Sequence, residues 1–356
     1  MMNGMSLFSG AGIGEFYLSR IGINIVVANE IISKRAKLYQ NIYPNTSMIM
    51  GDIKNPDIFK KIVKIALKND VDYLIASPPC QGISIAGKNR RIHEMANDSR
   101  NYLIKYVVEM IKVVKPKFIL IENVPRLLKM QLYIEEGFKT VEDILEEEFK
   151  DMYDIDYRVL DASDYEVPQI RKRAIIRLKQ KGLIWQLPEK TNKKKTVKDA
   201  IGDLPSIESG EISHIKWHFG RVHSEDHILW MKHTPTGATA FENEVFFPHK
   251  KDGTKIKGYN TTYRRMNWNQ PAPTITIRND AISSQRNVHP GRPLKDGTYS
   301  DSRVLSILEL MRLTTLPDDW PIRDETEELL IRQVIGESIP PLFVEKISKG
   351  ILSNEN

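Results

Sequence analysis

Cys80 is the only cysteine among 356 residues, and it stands in Ala76-Ser77-Pro78-Pro79-Cys80-Gln81-Gly82 directly after the apolar run Tyr73-Leu74-Ile75. A thiol at the exposed end of a buried strand, with two prolines fixing the backbone before it, is placed to act as a nucleophile. The competing reading is a small buried hydrophobe, the commonest state of a free cysteine. Further along, Glu122 ends the apolar stretch Phe118 to Ile121, and Arg171 and Arg173 alternate in Gln169-Ile170-Arg171-Lys172-Arg173. A carboxyl whose pKa is raised by burial can hold or donate a proton. Alternate arginines on one face of an extended segment can offer donors to a carbonyl oxygen and to a phosphate. Taken singly, the same residues read as a strand-end glutamate and surface arginines.

A second group is suited to holding a ligand. Phe8-Ser9-Gly10-Ala11-Gly12-Ile13-Gly14 falls at a strand-to-helix turn, where glycines permit tight geometry and close approach. Its Gly-x-Gly-x-Gly spacing departs from the dinucleotide fingerprint Gly-x-Gly-x-x-Gly. Glu30 ends the next strand, where a carboxylate accepts from ribose hydroxyls, and Asp52 after the third strand is placed to take an amino group of a base. Either acid alone reads equally as a solvated loop residue.

The elements that position these residues alternate. Met5 to Phe8, Ile25 to Ala28, Met48 to Met50, Tyr73 to Ala76 and Phe118 to Ile121 read as buried strands. Between them Ser33 caps a helix through Tyr39, Pro56 opens one through Leu67, and Ser99 opens one with Leu103, Val107, Ile111 and Val114 on one face. This alternation predicts an α/β fold with a doubly wound, largely parallel sheet, and ligands at the carboxyl ends of its strands. From Lys179 the regularity fades, and helical pattern returns from Val304 to Leu313 and from Val334 to Leu352. His214 and His218, and His223 and His227, stand four apart, a spacing that would suit a metal on a helix. No thiol completes such a site, so no metal is assigned.

The net charge of +6 and a pI near 9.0 suit a polyanionic partner. One cysteine excludes an internal disulfide and a multi-cysteine zinc site. No apolar stretch reaches membrane-spanning length and no signal sequence opens the chain, which predicts a soluble, cytoplasmic protein. Lys193 to Lys195, Trp185, Trp217 and Trp230 lie in the irregular stretch, a mixture suited to phosphate contacts and groove packing.

Together and in this order, Ser6 to Gly14, Pro79-Cys80-Gln81, Glu122-Asn123-Val124 and Gln169 to Arg173 resemble the cytosine-C5 DNA methyltransferases. The resemblance covers nearly the whole chain, apart from about Lys179 to Asn260. Tyr263-Arg264-Arg265 followed by Pro271-Ala272-Pro273-Thr274, and Leu313 to Trp320, resemble the segments that frame the family's recognition region. The resemblance implies the fold of class I S-adenosylmethionine-dependent methyltransferases. It divides the chain into a catalytic domain of residues 1–178 and 333–356 and a smaller target-recognition domain with hinge over 179–332. It implies that Phe8, Gly10, Gly12, Glu30, Asp52, Pro79 and Ser338 bind S-adenosylmethionine, and that Cys80, Glu122, Arg171 and Arg173 are catalytic. Gln81, Ser84, Asn123, Arg264 and Thr274 would contact the substrate. Cys80 would add to C6 of a flipped-out cytosine in duplex DNA, with the loop Ser84 to Asn97 closing over it.

The chain departs from the family at Gly336-Glu337-Ser338-Ile339-Pro340, where the family has Gly-Asn-Ser-Val-Pro. A buried, protonated Glu337 would donate a hydrogen bond as asparagine does. The expectation is a monomer without an obligate protein partner, associated with the nucleoid through DNA, and by analogy with the family one that acts in a restriction-modification system. Rival readings are an RNA (tRNA) cytosine-5-methyltransferase, a catalytically impaired sequence-specific DNA-binding protein, and a nicotinamide oxidoreductase.

Overall fold

The computed structural model describes residues 1–79, 102–134 and 137–351. The chain forms two compact units, one built from Met1–Asp161, Lys172–Glu189 and Val344–Asn356, the other from Ala162–Arg171 and Lys190–Phe343.

The first unit carries β1 (Met2–Leu7), β2 (Ile23–Glu30), β3 (Ser47–Met50), β4 (Tyr73–Ala76), β5 (Phe118–Asn123), the hairpin of β6 (Gln131–Ile134) and β7 (Gly137–Thr140), β8 (Tyr153–Asp161) and β9 (Lys172–Gln180). Seven of them form one sheet in the order β3-β2-β1-β4-β5-β9-β8. The first five are parallel, and β9 runs antiparallel to both β5 and β8. All four residues of β4 and all six of β5 are buried, as central strands covered on both faces must be. Helices α1 (Ser33–Ile42), α2 (Pro56–Lys68), α3 (Ile104–Val114) and α4 (Val141–Phe149) connect the strands. α2 starts where Asn55 accepts the Asp57 amide and Pro56 fills the first helical position, and Thr140 and Asp143 form a capping box on α4.

Two helix boundaries differ from the sequence reading. Ser33 is the first helical residue of α1 rather than its cap: Ile32 takes the cap position, and the Glu30 carboxylate accepts its amide at 2.8 Å. The helix expected over 334–352 is broken at Ser338-Ile339-Pro340 into α8 (Glu328–Glu337) and α9 (Pro341–Lys349), because proline excludes the residue before it from helical geometry and has no amide to donate. Ser99 lies outside the described residues, and α3 begins at Ile104.

The second unit has little regular structure: α5 (Val197–Ile201), α6 (Glu225–Lys232), α7 (Ile307–Leu313), α8 and scattered single bridges. Its apolar cluster of Trp230, Met231, Ala240, Tyr263, Ile282, Val288 and Val304 is small. Its limits do not follow the breaks expected after 178 and 332. Residues 181–189 stay with the sheet, where the Trp185 indole donates to the Ile347 carbonyl at 2.8 Å and meets Phe118 edge-on. Residues 162–171 join the second unit through Ile170 N to Ala272 O and Thr191 N to Asp164 O. Trp185 and Trp230 are therefore core residues rather than groove contacts, at 5% and 4% exposure.

Candidate active site

In the strand order 3-2-1-4-5 the chain winds outward from β1 through β2 and β3, then returns to place β4 on the other side of β1. The carboxyl ends of β1 and β4 diverge at that reversal, which is where open parallel sheets bind ligands. The residues just beyond β1 are held in rare backbone conformations: Phe8 has φ 57°, Gly10 57° and Gly12 74°. A Cβ on Gly12 would lie 2.4 Å from the Tyr43 ring and 2.7 Å from that of Tyr39, and the Tyr43 hydroxyl donates to the Gly12 carbonyl at 2.6 Å. Only glycine fits this position, and the loop is braced from beneath by the two tyrosines. A non-glycine residue with positive φ, such as Phe8, marks backbone that its surroundings over-determine.

Glu30, at the end of β2, is 5% exposed and accepts the Gly10 amide at 2.9 Å with Oε2 and the Ile32 amide with Oε1. It thus shapes the glycine loop while each oxygen keeps a second lone pair for a hydroxyl donor. Asn29 beside it donates to the Ile49 and Gly51 carbonyls, fixing the turn that carries Asp52. The Asp52 carboxylate accepts the Lys54 amide at 3.0 Å and remains partly exposed. The glycine loop is flanked by two acids that can accept from hydroxyl and amino donors.

Beyond β4, Pro78 is buried and Pro79 partly so. Asn123 is buried at the end of β5, where its side-chain amide donates to the Pro78 carbonyl at 2.7 Å and its Oδ1 accepts the Val124 amide. Asn123 was expected to touch the substrate. Its amide is turned instead onto the proline segment, so it positions the backbone leading to Cys80. Cys80, Gln81, Ser84 and the loop to Asn97 lie outside the described residues.

Glu122, one residue earlier on β5, forms an ion pair with Arg173 on the adjacent strand β9, Nε to Oε1 at 2.7 Å, with both side chains little exposed. The antiparallel β5–β9 register brings the two elements side by side. A carboxyl and a guanidinium held together at a strand end, next to the Asn123–Pro78 tether, can offer an acidic group and a fixed cation to one ligand.

Arg171 does not share this face. It is 2% exposed and donates to the carbonyls of Ile275 at 2.9 Å, Gly336 at 3.2 Å and Glu337 at 2.8 Å, all within the second unit. Strand β9 starts only at Lys172, so the alternation that would align the two arginines does not hold across residue 171. Arg171 thus holds three backbone carbonyls of the second unit together. Glu337 itself is exposed at the end of α8, which removes the buried carboxyl proposed to mimic asparagine.

The remaining expected contacts also lie in the second unit. The Ser338 hydroxyl donates to the Ile335 carbonyl at 3.0 Å, that of Thr274 to the Ile170 carbonyl at 2.7 Å, and Arg264 to the Asn260 carbonyl at 3.1 Å. Neither histidine pair lies on a helix in the way a metal would need. His218 bridges Ser306 and the Pro205 carbonyl, and His223, pulled down to about 4 by burial, accepts the Val304 amide. No group of three or more metal-ligating side chains occurs among the described residues.

Sequence reasoning missed Glu15. It is the only charged residue in the stretch from Ser6 to Ser19, yet it is 5% exposed beneath the glycine loop. Burial pushes its carboxyl up to about 7, partly offset by the Tyr39 and Ser6 hydroxyls. Those hydroxyls face it without closing a well-formed hydrogen bond. A lone acid within an apolar, glycine-rich run was the available clue.

A mostly parallel seven-stranded sheet with this strand order, a glycine loop after β1 and a carboxylate ending β2 defines the Rossmann-like methyltransferase fold. A crystal structure described as a prophage-encoded DNA modification methyltransferase of E. coli shares that fold, with a TM-score of 0.73 at 22% identity over 99% of both chains. The chain belongs to the C-5 cytosine-specific DNA methylases, whose family profile matches residues 2–353. Among curated proteins it is 65% identical to the Type II methyltransferase M1.HgaI of Avibacterium volantium, over 99% of this chain and 98% of that one. It is 29% identical to the Type II methyltransferase M1.HphI of Haemophilus parahaemolyticus, over 98% and 86%. No helix among the described residues is long and apolar enough to cross a membrane.

Proposed function

We propose that the chain methylates C5 of a cytosine flipped out of a specific duplex DNA sequence, with Cys80 as nucleophile and S-adenosylmethionine as donor. The observation that carries this is the Glu122–Arg173 pair at the strand ends beside the asparagine-tethered Pro78-Pro79 segment that leads into Cys80. Cytosine C5 is a poor nucleophile while the ring is aromatic. Addition of the Cys80 thiolate to C6 breaks that aromaticity and makes C5 an enamine carbon. Bound S-adenosylmethionine supplies the methyl group. Loss of the C5 proton then re-forms the double bond and expels the thiolate from C6.

Negative charge that develops on the ring during addition needs partners at N3 and O2. Glu122 meets N3 with a proton, and Arg173, fixed by Glu122, donates to O2. Phe8, Gly10, Gly12, Glu30, Asp52, Pro79 and Ser338 hold the donor. Gln81, Ser84, Arg264 and Thr274 contact the DNA. Residues 1–178 and 333–356 serve catalysis, and the stretch between them serves recognition.

The 65% identity to a Type II methyltransferase extends this reading to a restriction-modification system, in which the protein acts as a cytoplasmic monomer on nucleoid DNA without an obligate protein partner. Bisulfite sequencing of DNA from cells expressing the protein tests the reading: one recurrent sequence context of protected cytosines is the expected result. Uniform conversion of the DNA together with methylation of transfer RNA would replace it with an RNA-directed activity.

A further inference from the structure

Residues 249–260, His-Lys-Lys-Asp-Gly-Thr-Lys-Ile-Lys-Gly-Tyr-Asn, form a hairpin-like projection on the second unit. His249 and Lys255 pair across it, Lys250 N donates to Thr254 O at 2.8 Å, and Ile256 N donates to Pro248 O at 2.9 Å. Gly253 turns the tip with φ 80°, and Asp252 is used up inside the turn, accepting the Thr254 amide at 2.9 Å. Every residue from Lys250 to Asn260 except Ile256 is exposed. Four lysines against one aspartate give this segment a charge of +3, half the +6 of the whole chain.

The projection is rooted in aromatic rings. His249 meets Trp230 edge-on at 5.5 Å and Phe247 at 6.2 Å. Lys255 lies over the Phe247 ring and donates to the Phe241 carbonyl. Gly258 lies so close to Phe241 that a Cβ there would sit 2.4 Å from the ring, and Phe241 in turn packs on Tyr263, which packs on Trp230. Lys255 is thus spent on holding the hairpin. Lys250, Lys251 and Lys257 have no ion-pair partner among the described residues, and Tyr259 is 79% exposed at the base. Leaving three cations uncompensated on an ordered, rooted projection while the lone acid is turned inward is the arrangement of a surface made for phosphates.

We propose that the hairpin of residues 249–260 is a duplex-DNA-contacting element, with Lys250, Lys251 and Lys257 on phosphates and Tyr259 packing against the sugar-phosphate wall. The proposal rests on the reading of the chain as a duplex DNA methylase, and it names the recognition hairpin within that reading.

The test uses the full chain and a fluorescent mixed-sequence duplex, with affinity measured across about 50 to 300 mM salt in the presence of S-adenosylhomocysteine. Each phosphate contact contributes about 0.9 to the slope of log K against log salt. The variant Lys250→Gln/Lys251→Gln/Lys257→Gln should therefore lower the slope by about 2 to 3. A control, Lys60→Gln/Lys61→Gln/Lys64→Gln on the exposed side of α2, removes the same charge elsewhere and should change it by less than about 1. Circular dichroism of both variants distinguishes lost contact from lost fold, and Tyr259→Phe and Tyr259→Ala give a second comparison that leaves every charge in place. Tyr259→Ala should weaken binding at all salt concentrations, with Tyr259→Phe near wild type.

Equal slopes for the hairpin variant and the wild type, with Tyr259→Ala binding normally, would overturn the proposal. So would hairpin-dependent binding that favours single-stranded RNA over the duplex. Wild-type protein that methylates no cytosine in any duplex would refute the functional reading, and the slopes would still decide the hairpin.

Discussion

The two units solve the problem of buried backbone in opposite ways. In the first, the sheet pairs strand with strand, so its centre consists of apolar side chains such as Met5, Leu74, Ile119 and Ile121, each at most 1% exposed. In the second, few ladders exist, and carbonyls turn inward without a strand to meet them. Arginine fills the gap: Arg171, Arg265, Arg303 and Arg332 are the bulkiest of the fully buried side chains among the described residues, and all four belong to the second unit. Arg265 alone donates to the carbonyls of Met231, His289 and Asp301. A planar guanidinium with five donors suits this work, because irregular backbone offers several acceptors at fixed angles. An irregular recognition unit can thus be ordered without regular secondary structure, provided its buried cations are matched.

The largest expected effect comes from breaking that device at its densest point. Arg303 donates to the Ile207 and Val304 carbonyls and pairs with Asp301 and Glu309, whose carboxyls it helps hold far below the usual range. Arg303→Met leaves the buried Glu309 without a guanidinium and Asp301 with Arg292 as its remaining one, and should destabilise the protein by about 3–5 kcal/mol, read by urea unfolding. A loss below about 1 kcal/mol would show that the second unit does not depend on its arginines.

The two arginines of Gln169 to Arg173 sharpen the comparison, since they stand two residues apart and fall in different units. Arg171→Met should cost roughly 3 kcal/mol by removing three bonds from a charged donor to buried carbonyls. Arg173→Met should cost less stability, because Glu122 keeps slight access to water, while lowering the single-turnover methyl-transfer rate by at least about 100-fold. Equal effects of both substitutions on stability and rate would erase the distinction.

Glu15 tests the first unit at a buried acid with no cation beside it in any ion pair among the described residues. Its carboxyl lies near 7 in the fold against 4.5 in the unfolded chain, so the unfolded state releases its proton first as pH rises. The resulting penalty is absent below about pH 4.5, accumulates between pH 4.5 and 7, and is complete above 7. Glu15→Gln should therefore gain roughly 3 kcal/mol relative to wild type between pH 4.5 and 8, whatever its offset at acid pH. A constant difference across that range would mean that Glu15 does not titrate in the fold. The smallest effect belongs to an isolated cap: Thr140→Ala, which opens the capping box on α4, should cost about 1 kcal/mol in thermal unfolding without altering methyl transfer.

The same contrast decides what could be read in advance. Strands β1 to β5 were legible because parallel strands buried on both faces are continuous apolar runs, and the glycine loop because Gly12 has no alternative against Tyr43. The acids ending β2 and β5 followed from strand ends. The burial of Arg171 is not legible, because arginine reads as a surface or phosphate-binding residue and nothing local distinguishes a guanidinium that meets Ile275 and Glu337 more than 100 residues later. Trp185 was placed with the recognition stretch for a similar reason: its partner, the Ile347 carbonyl, is remote in sequence. The bond from Asn123 to Pro78 is not legible either, since the contact is made only once β4 and β5 are paired.

The central claim is that Cys80 attacks C6 of a cytosine in DNA. Incubating the protein with S-adenosylmethionine and a duplex carrying 5-fluorocytosine in place of cytosine tests it most directly, since fluorine at C5 cannot leave as the proton does and the adduct cannot collapse. Wild-type protein should give a complex that survives denaturing electrophoresis, its mass equal to protein plus methylated strand, and Cys80→Ser should give none. A wild-type protein that methylates ordinary cytosine yet is never trapped, or a Cys80→Ser variant trapped as well as wild type, would contradict the mechanism.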